Sequence, residues 1–218
     1  MKNTLTEENY LKALFHLTAD KNSVAVNELS KFLGVKMPSV NNMMKKFADK
    51  KWVKYETYKP LIVTDLGKKE ASLVVRKHRL TEMFLVKKMN FSWDNVHEIA
   101  EQLEHVHSPV FFDKMDELLD YPKFDPHGEP IPDKQGNIIA LDYVKLSDSK
   151  VDEQLTFAAV TFSDDAFLSY LTQRKLVLGT VFTVKNIEEF DQSMTIDIAG
   201  KSETLSHLAT EKILVKKV

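Results

Sequence analysis

Between Tyr121 and Asn137 the chain places four of its seven prolines and two of its six glycines, and the spacing of its apolar residues changes across that stretch. Upstream, apolar side chains recur every three or four positions, the period of a helix. Downstream they alternate in short runs rich in Val, Ile, Thr and Phe, the period of a strand. Proline fixes φ and lacks the N–H that a helix or sheet needs, so the stretch itself reads as a linker or extended loop. The fold expected is mainly α, with a small β-barrel at the C-terminal end.

Within the helical part, Leu5, Tyr10, Leu11, Leu14, Phe15 and Leu17 mark a first helix from about residue 6 to 19, with Thr6, Glu7, Glu8 and Asn9 offering a cap. Val26, Leu29, Phe32 and Leu33 mark a second that stops at Gly34. A third starts at Met37 or Pro38 and runs through Val40, Met43, Met44 and Phe47 to about Lys51. Two short helices joined by Gly34 to Met37 match a helix-turn-helix. The alternating residues on either side of Thr57 to Pro60 add a hairpin, which makes the motif winged. Thr64, Asp65 and Gly67 then open a long helix through Lys88, followed by helices at about Trp93–His107 and Pro109–Leu119. In the β part, runs at Leu155–Phe162, Gly179–Asn186, Met194–Ile198 and Ile213–Val218 surround one helix near Asp165–Gln173. The domain boundaries expected are 1–64, 65–137 and 138–218.

Charge is distributed unevenly over these parts. Residues 1–88 hold 18 Lys+Arg against 9 Asp+Glu, residues 89–133 hold 2 against 11, and residues 134–218 hold 10 against 12, for nets of +9, −9 and −2. A basic segment suits a polyanion and the acidic one beside it suits cations, although clustering of solvated faces gives the same pattern. The chain has no cysteine, which removes disulfides, thiolate metal sites and thiol nucleophiles together. No apolar run reaches membrane-spanning length and the start, MKNTLTEENY, lacks the apolar core of a secretory signal, so a cytoplasmic protein is expected.

Residues 97–105 read HEIAEQLEH. At about 100° per residue, His97, Glu101, Glu104 and His105 fall on one helix face, and His78 and Glu82 stack four apart on the preceding long helix. Imidazole and carboxylate donors without thiolate suit Mn²⁺, Fe²⁺, Co²⁺ or Zn²⁺. The plainer alternative is a solvated face on which these residues align. A catalytic reading finds little support: residue 101 is Glu, so HExxH is absent, and neither a phosphate-binding glycine loop nor GxSxG occurs.

The segments RKHRLTE (76–82) and VHEIAEQLEHVHSP (96–109) together resemble the diphtheria toxin repressor and manganese transport regulator family of metal-dependent repressors. The resemblance covers nearly the whole chain, including the YPKFDPHGEPIPD loop. It implies a winged helix-turn-helix, a helical dimerisation domain and a C-terminal SH3-like domain of FeoA type. It implies a primary site of Glu101, Glu104 and His105 with Asn9 where the family usually has Asp or Met, and a second site of His78, Glu82 and His97. Lys12 stands where two-metal members use a carboxylate. Asp164 or Asp165 falls where longer members add a ligand from the SH3-like domain, and Asp125 and His127 resemble an accessory site. Glu at 101, where the iron-responsive branch has Cys, points to Mn²⁺, with Fe²⁺ as runner-up and Zn²⁺ or Co²⁺ able to substitute in vitro.

The function expected on this basis is a metal-dependent repressor, not an enzyme, that controls manganese or iron homeostasis. A cation ligated by both Asn9 and the acidic helix favours one closed arrangement and shifts the population toward it. In a homodimer this sets two headpieces at the spacing of a palindromic double-stranded operator. Pro38, Ser39, Asn41 and Asn42, at the start of the third helix, are expected in the major groove, with Lys36, Lys45, Lys46 and Lys59 on phosphates. Met43, Met44 and Phe47 read as core. Val110, Phe111, Phe112, Met115, Leu118 and Leu119 form a stripe shared between core and dimer contact. The alternative is a winged-helix regulator with a non-metal effector and a structural His/Glu face. Neither a membrane nor a small-molecule substrate is expected as a partner.

Overall fold

The computed structural model describes residues 3–19, 21–161 and 165–218. These divide into two compact units, one of residues 1–81, 100–123 and 131–139, the other of residues 82–99, 124–130 and 140–218.

The first unit opens with α1 (Leu5–Leu17). Thr4 is its N-cap, two residues before the cap expected, because Glu7 completes a capping box: Glu7 N–H donates to Thr4 Oγ1 and Thr4 N–H to the Glu7 carboxylate. After β1 (Ser23–Val24), α2 (Val26–Leu33) ends where Gly34 turns left-handed at φ 64°, a conformation open to glycine at little cost. Proline in the first turn starts α3 (Met37–Asp49). The hairpin of β2 (Val53–Lys54) and β3 (Leu61–Val63) pairs Val53 with Val63, and β1 adds on the other side of β3, giving the antiparallel order β1-β3-β2. Leu11, Leu14, Leu29, Val40, Met44, Phe47 and Leu61 are fully buried, and Trp52 packs edge-on to Phe47 at 4.9 Å. Met44 and Phe47 are thus core, as the periodicity predicts.

Glu7 ties α1 to α3. Its buried carboxylate accepts from Lys50 Nζ at 2.6 Å, with Lys46 Nζ 3.1 Å away. Burial opposes its ionisation, but Lys50, the Thr4 N–H and Lys46 outweigh that and hold the carboxyl down to about 2, below its usual 4.5. A depressed folded-state pKa adds stability above the unfolded value that is lost as pH falls through the folded one. Glu7→Gln is therefore expected to destabilise the first unit by about 2 kcal/mol at pH 7, the gap to wild type closing between pH 4.5 and 2. Urea unfolding at several pH values, followed by Trp52 fluorescence in a Trp93→Phe background, measures this.

The 25-residue α4 (Asp65–Met89) is capped by Thr64, whose Oγ1 accepts from Gly67 N–H. It contributes Asp65–Thr81 to the first unit and Glu82–Met89 to the second. Next come α5 (His97–Leu103) and α6 (Pro109–Leu118), the latter capped by Ser108. The former is shorter at both ends than its periodicity predicts. Glu104 N–H still bonds Ala100 O, but Val106 N–H bonds Leu103 O, so the chain tightens into a turn at Glu104 and His105. On α6, Phe112 and Met115 are buried while Val110, Phe111 and Leu118 are exposed.

The second unit is built on a six-stranded antiparallel sheet of SH3-like type. Its strands are β4 (Val144–Lys145), β5 (Gln154–Val160), β6 (Val181–Ile187), β7 (Met194–Ile198), β8 (Lys201–Leu205) and β9 (Ile213–Lys217), in the order β4-β9-β5-β6-β7-β8. Helices α7 (Asp165–Gln173) and α8 (His207–Thr210) accompany it. Alternation buries Leu155 and Phe157. A register shift between Phe157 and Ala159 against β9 then buries Ala159 and Val160 in succession, which strict alternation forbids. No helix among the described residues is long and apolar enough to cross a membrane.

Candidate metal centre

Three helical segments of the first unit converge on Glu104, which has no exposed surface. Lys12, on α1, forms ion pairs with both Glu101 and Glu104, while His78 Nδ1, on α4, hydrogen-bonds Glu104 Oε2. Glu8, four residues before Lys12 on the same helix face, places Oε2 2.6 Å from His105 Nδ1 and Oε1 2.8 Å from Lys77 Nζ. Three carboxylates thus meet two ammonium groups and two imidazoles in a largely water-excluded space, where each charge is felt more strongly than in water.

Two buried side-chain oxygens, one on α1 and one at the centre of this cluster, have no hydrogen-bond donor. Asn9 Oδ1 is buried without one, and so is Glu104 Oε1, which Lys12 Nζ approaches at 2.9 Å as an ion pair only. A buried acceptor left unsatisfied costs about 1–3 kcal/mol, and a cation relieves it. Carboxylate, amide carbonyl and imidazole donors without thiolate match a hard or borderline divalent ion.

The second unit brings another set together. Glu82, Asp125 and His127 are buried and each offers a ligand atom within 4.8 Å of the others. His97 Nδ1 lies 3.2 Å from Glu82. Of the set His78, Glu82 and His97, Glu82 and His97 thus meet directly, while His78 engages Glu104. His127 Nε2 is 2.8 Å from the Trp93 carbonyl, which only accepts, so that nitrogen carries a proton and Nδ1, 3.6 Å from Glu82, is the one turned to the carboxylates. Burial alone favours the neutral ring, yet Glu82, Asp125 and the Trp93 carbonyl outweigh it and push His127 up to about 9. A metal ion is the chemical alternative to that extra proton. Asp164 lies outside the described residues, and Asp165 is exposed at the start of α7.

The loop that carries Asp125 and His127 is rigidly formed. Asp125 Oδ1 accepts from the N–H groups of His127 and Glu129, and Val160 N–H bonds His127 O. Gly128, at φ 85°, passes so close to β5 that a Cβ would stand 2.2 Å from Ala158 O. Gly128→Ala is expected to cost at least about 2 kcal/mol, through clash and left-handed strain together. A lowered thermal midpoint of the second unit is the measurable result.

On the proposed DNA face, Lys36, Pro38, Ser39, Asn42, Lys45 and Lys46 are exposed, whereas Asn41 is half-buried. Lys46 is also the Glu7 partner. Lys59, at the wing tip, is exposed and pairs with Glu56. Glu8 and Lys77 join the cluster although neither is among the ligands expected from the sequence. The available signal was the four-residue spacing of Glu8 and Lys12, on either side of Asn9.

A winged helix-turn-helix in one chain with buried carboxylate–imidazole clusters defines a metal-responsive DNA-binding regulator, and comparison with known proteins agrees. Residues 3–61 match the family described as iron dependent repressor, N-terminal DNA binding domain; residues 64–133 match its metal binding and dimerisation domain; residues 144–217 match the FeoA domain. The HTH-type transcriptional regulator MntR of Geobacillus thermodenitrificans is 29% identical over 118 residues, 54% of this chain and 83% of its own. An HTH-type regulator of Methanocaldococcus jannaschii is 30% identical over 109 residues, 50% of this chain and 87% of its own. Among solved structures, a manganese-dependent transcriptional repressor in complex with manganese superposes with a TM-score of 0.89 at 28% identity, covering 97% of this chain and all of that one. ScaR with bound Zn²⁺ gives 0.82 at 31%, covering 97% and 99%. The chain belongs to the iron-dependent (diphtheria toxin repressor and manganese transport regulator) repressor family and is a metal-dependent, DNA-binding transcriptional repressor with a C-terminal FeoA domain.

Proposed function

We propose that Mn²⁺ is the activating metal, with Fe²⁺ as the competing candidate, and that the repressor controls manganese or iron homeostasis from the cytoplasm. Asn9, Glu101, Glu104 and His105 hold the ion of the first unit. Glu82, His97, Asp125 and His127 hold that of the second, with Asp164 as a further ligand. His78 orients Glu104. The observation that carries this reading is the meeting of α1, α4 and α5 side chains at the fully buried Glu104. An ion there supplies positive charge that binds several helices at once. The chain's own residues do the rest: Glu7 locks α1 to α3 through Lys46 and Lys50, so whatever orients α1 also orients the recognition helix.

In a two-fold homodimer this fixes two copies of α3 at the separation of two half-sites of a palindromic operator. Lys36, Lys45, Lys46 and Lys59 neutralise phosphates, while Pro38, Ser39, Asn41 and Asn42 meet base edges. Val110, Phe111 and Leu118 provide apolar surface for the partner copy. This arrangement gives no residue a role in turnover.

The alternative of a structural His/Glu network with a non-metal effector draws on one feature: Lys12, Lys77 and His78 already compensate the carboxylates. Anaerobic titration of the chain with Mn²⁺ and Fe²⁺, reading ion occupancy and the affinity for a duplex selected from a random library, decides between them. The metal reading expects DNA affinity to rise at least about tenfold with Mn²⁺; equal affinity with Mn²⁺ and with chelator favours the alternative.

A further inference from the structure

Wing and recognition helix are joined by a side-chain hydrogen bond: Tyr55, just beyond β2, donates its phenol O–H to Asn41 Oδ1 at 2.9 Å. The tyrosine is itself partly buried, packed against the core of the helix-turn-helix. Its ring is therefore held, and with only two side-chain torsions it surrenders little freedom in making the bond. The two adjacent asparagines of α3 consequently differ. Asn42 is exposed, while Asn41 is half-buried with its carbonyl oxygen engaged.

Base pairs are distinguished in the major groove by donors and acceptors at fixed positions, and an amide reads them only as well as its plane is fixed. A rotating amide exchanges its donor and acceptor edges and accepts several bases. Building on the reading of α3 as the groove helix, we propose that Tyr55 is a positioning residue for sequence recognition: by holding Asn41 Oδ1 it orients the amide so that the Nδ2 donors face one base pair in one way. Asn42, without that restraint, is the adaptable reader. A bond that served only to staple the wing to α3 would affect all sequences alike, so base preference separates the two roles.

The experiment uses the full chain at saturating Mn²⁺ and fixed salt. A duplex is selected from a random library with the wild type, and fluorescence anisotropy then compares that duplex, its single-base-pair variants and an unrelated duplex for wild type, Tyr55→Phe, Asn41→Ala and the double variant. Tyr55→Phe is expected to lose about fivefold discrimination at one base pair, the same one at which Asn41→Ala loses it. Affinity for the unrelated duplex and the salt dependence stay unchanged, and Tyr55→Phe adds nothing once Asn41 is Ala. A uniform loss on every duplex, or unchanged preference at every position, overturns the inference while leaving metal activation intact. A wild type that enriches no sequence with Mn²⁺ overturns the metal-activated reading and this inference with it.

Discussion

Glu104→Gln is expected to lower the affinity of the first-unit centre for Mn²⁺ by at least about 100-fold, and to abolish the metal-dependent gain in DNA affinity. The substitution keeps the volume of a fully buried side chain, so the fold has no cavity to absorb. What it removes is the negative charge on which Lys12 and His78 converge and the anionic oxygen offered to a metal. Loss even of an orienting partner to a metal ligand costs about 10–100-fold in affinity, and loss of the ligand charge itself costs at least as much. Calorimetric Mn²⁺ titration in an Asp125→Asn background, which weakens the second-unit centre, isolates the effect. Unchanged affinity would remove Glu104 from the centre and support the structural reading of the network.

The opposite change is expected at Lys12. Lys12→Met keeps the length of an apolar stem but removes the ammonium that contacts Glu101 and Glu104. A divalent ion bound to those carboxylates must coexist with this positive charge. Across about 5 Å the repulsion amounts to about 1.7 kcal/mol even at the dielectric constant of water, and more in a buried site. The variant should therefore bind Mn²⁺ at least about tenfold more tightly. Without metal it should bind DNA more weakly than wild type, because the ion pairs from α1 to Glu101 and Glu104 are then gone and only the Glu8–His105 contact remains to replace them. Competition titrations against a fluorescent chelator, with DNA binding measured in EDTA, follow both effects. Affinities that move in the same direction would show that Lys12 stabilises the fold without competing for the cation.

Much of this was legible in the sequence because local chemistry enforced it. Gly34 and Pro38 delimit α2 and α3, the residues flanking Thr57–Pro60 fold back as the wing, and the His/Glu spacing of residues 97–105 pointed to the buried Glu104. What escaped notice depends on long-range pairing. The two-residue β1 exists only because Ser23 and Val24 pair with β3, and β8, KSETL, is a polar edge strand with weak propensity of its own. The helical face predicted for residues 97–105 extends to His105, whereas α5 ends at Leu103, with no glycine or proline to announce the stop. Glu8 joins the cluster through Lys77 and His105, 69 and 97 positions away, and looked from the sequence like an acid of the first helical turn. His78 and Glu82 stand four apart on α4 as spacing predicts; His78 hydrogen-bonds Glu104, and Glu82 lies against His97.

The central claim is that metal and DNA bind the same conformation, so each must strengthen the other by the same factor. The direct measurement is the Mn²⁺ dissociation constant of the wild-type chain, free and bound to its selected duplex, in one buffer. Tighter Mn²⁺ binding to the DNA complex, by the factor with which Mn²⁺ tightens DNA binding, is the predicted result. Identical Mn²⁺ affinity with and without DNA would contradict it.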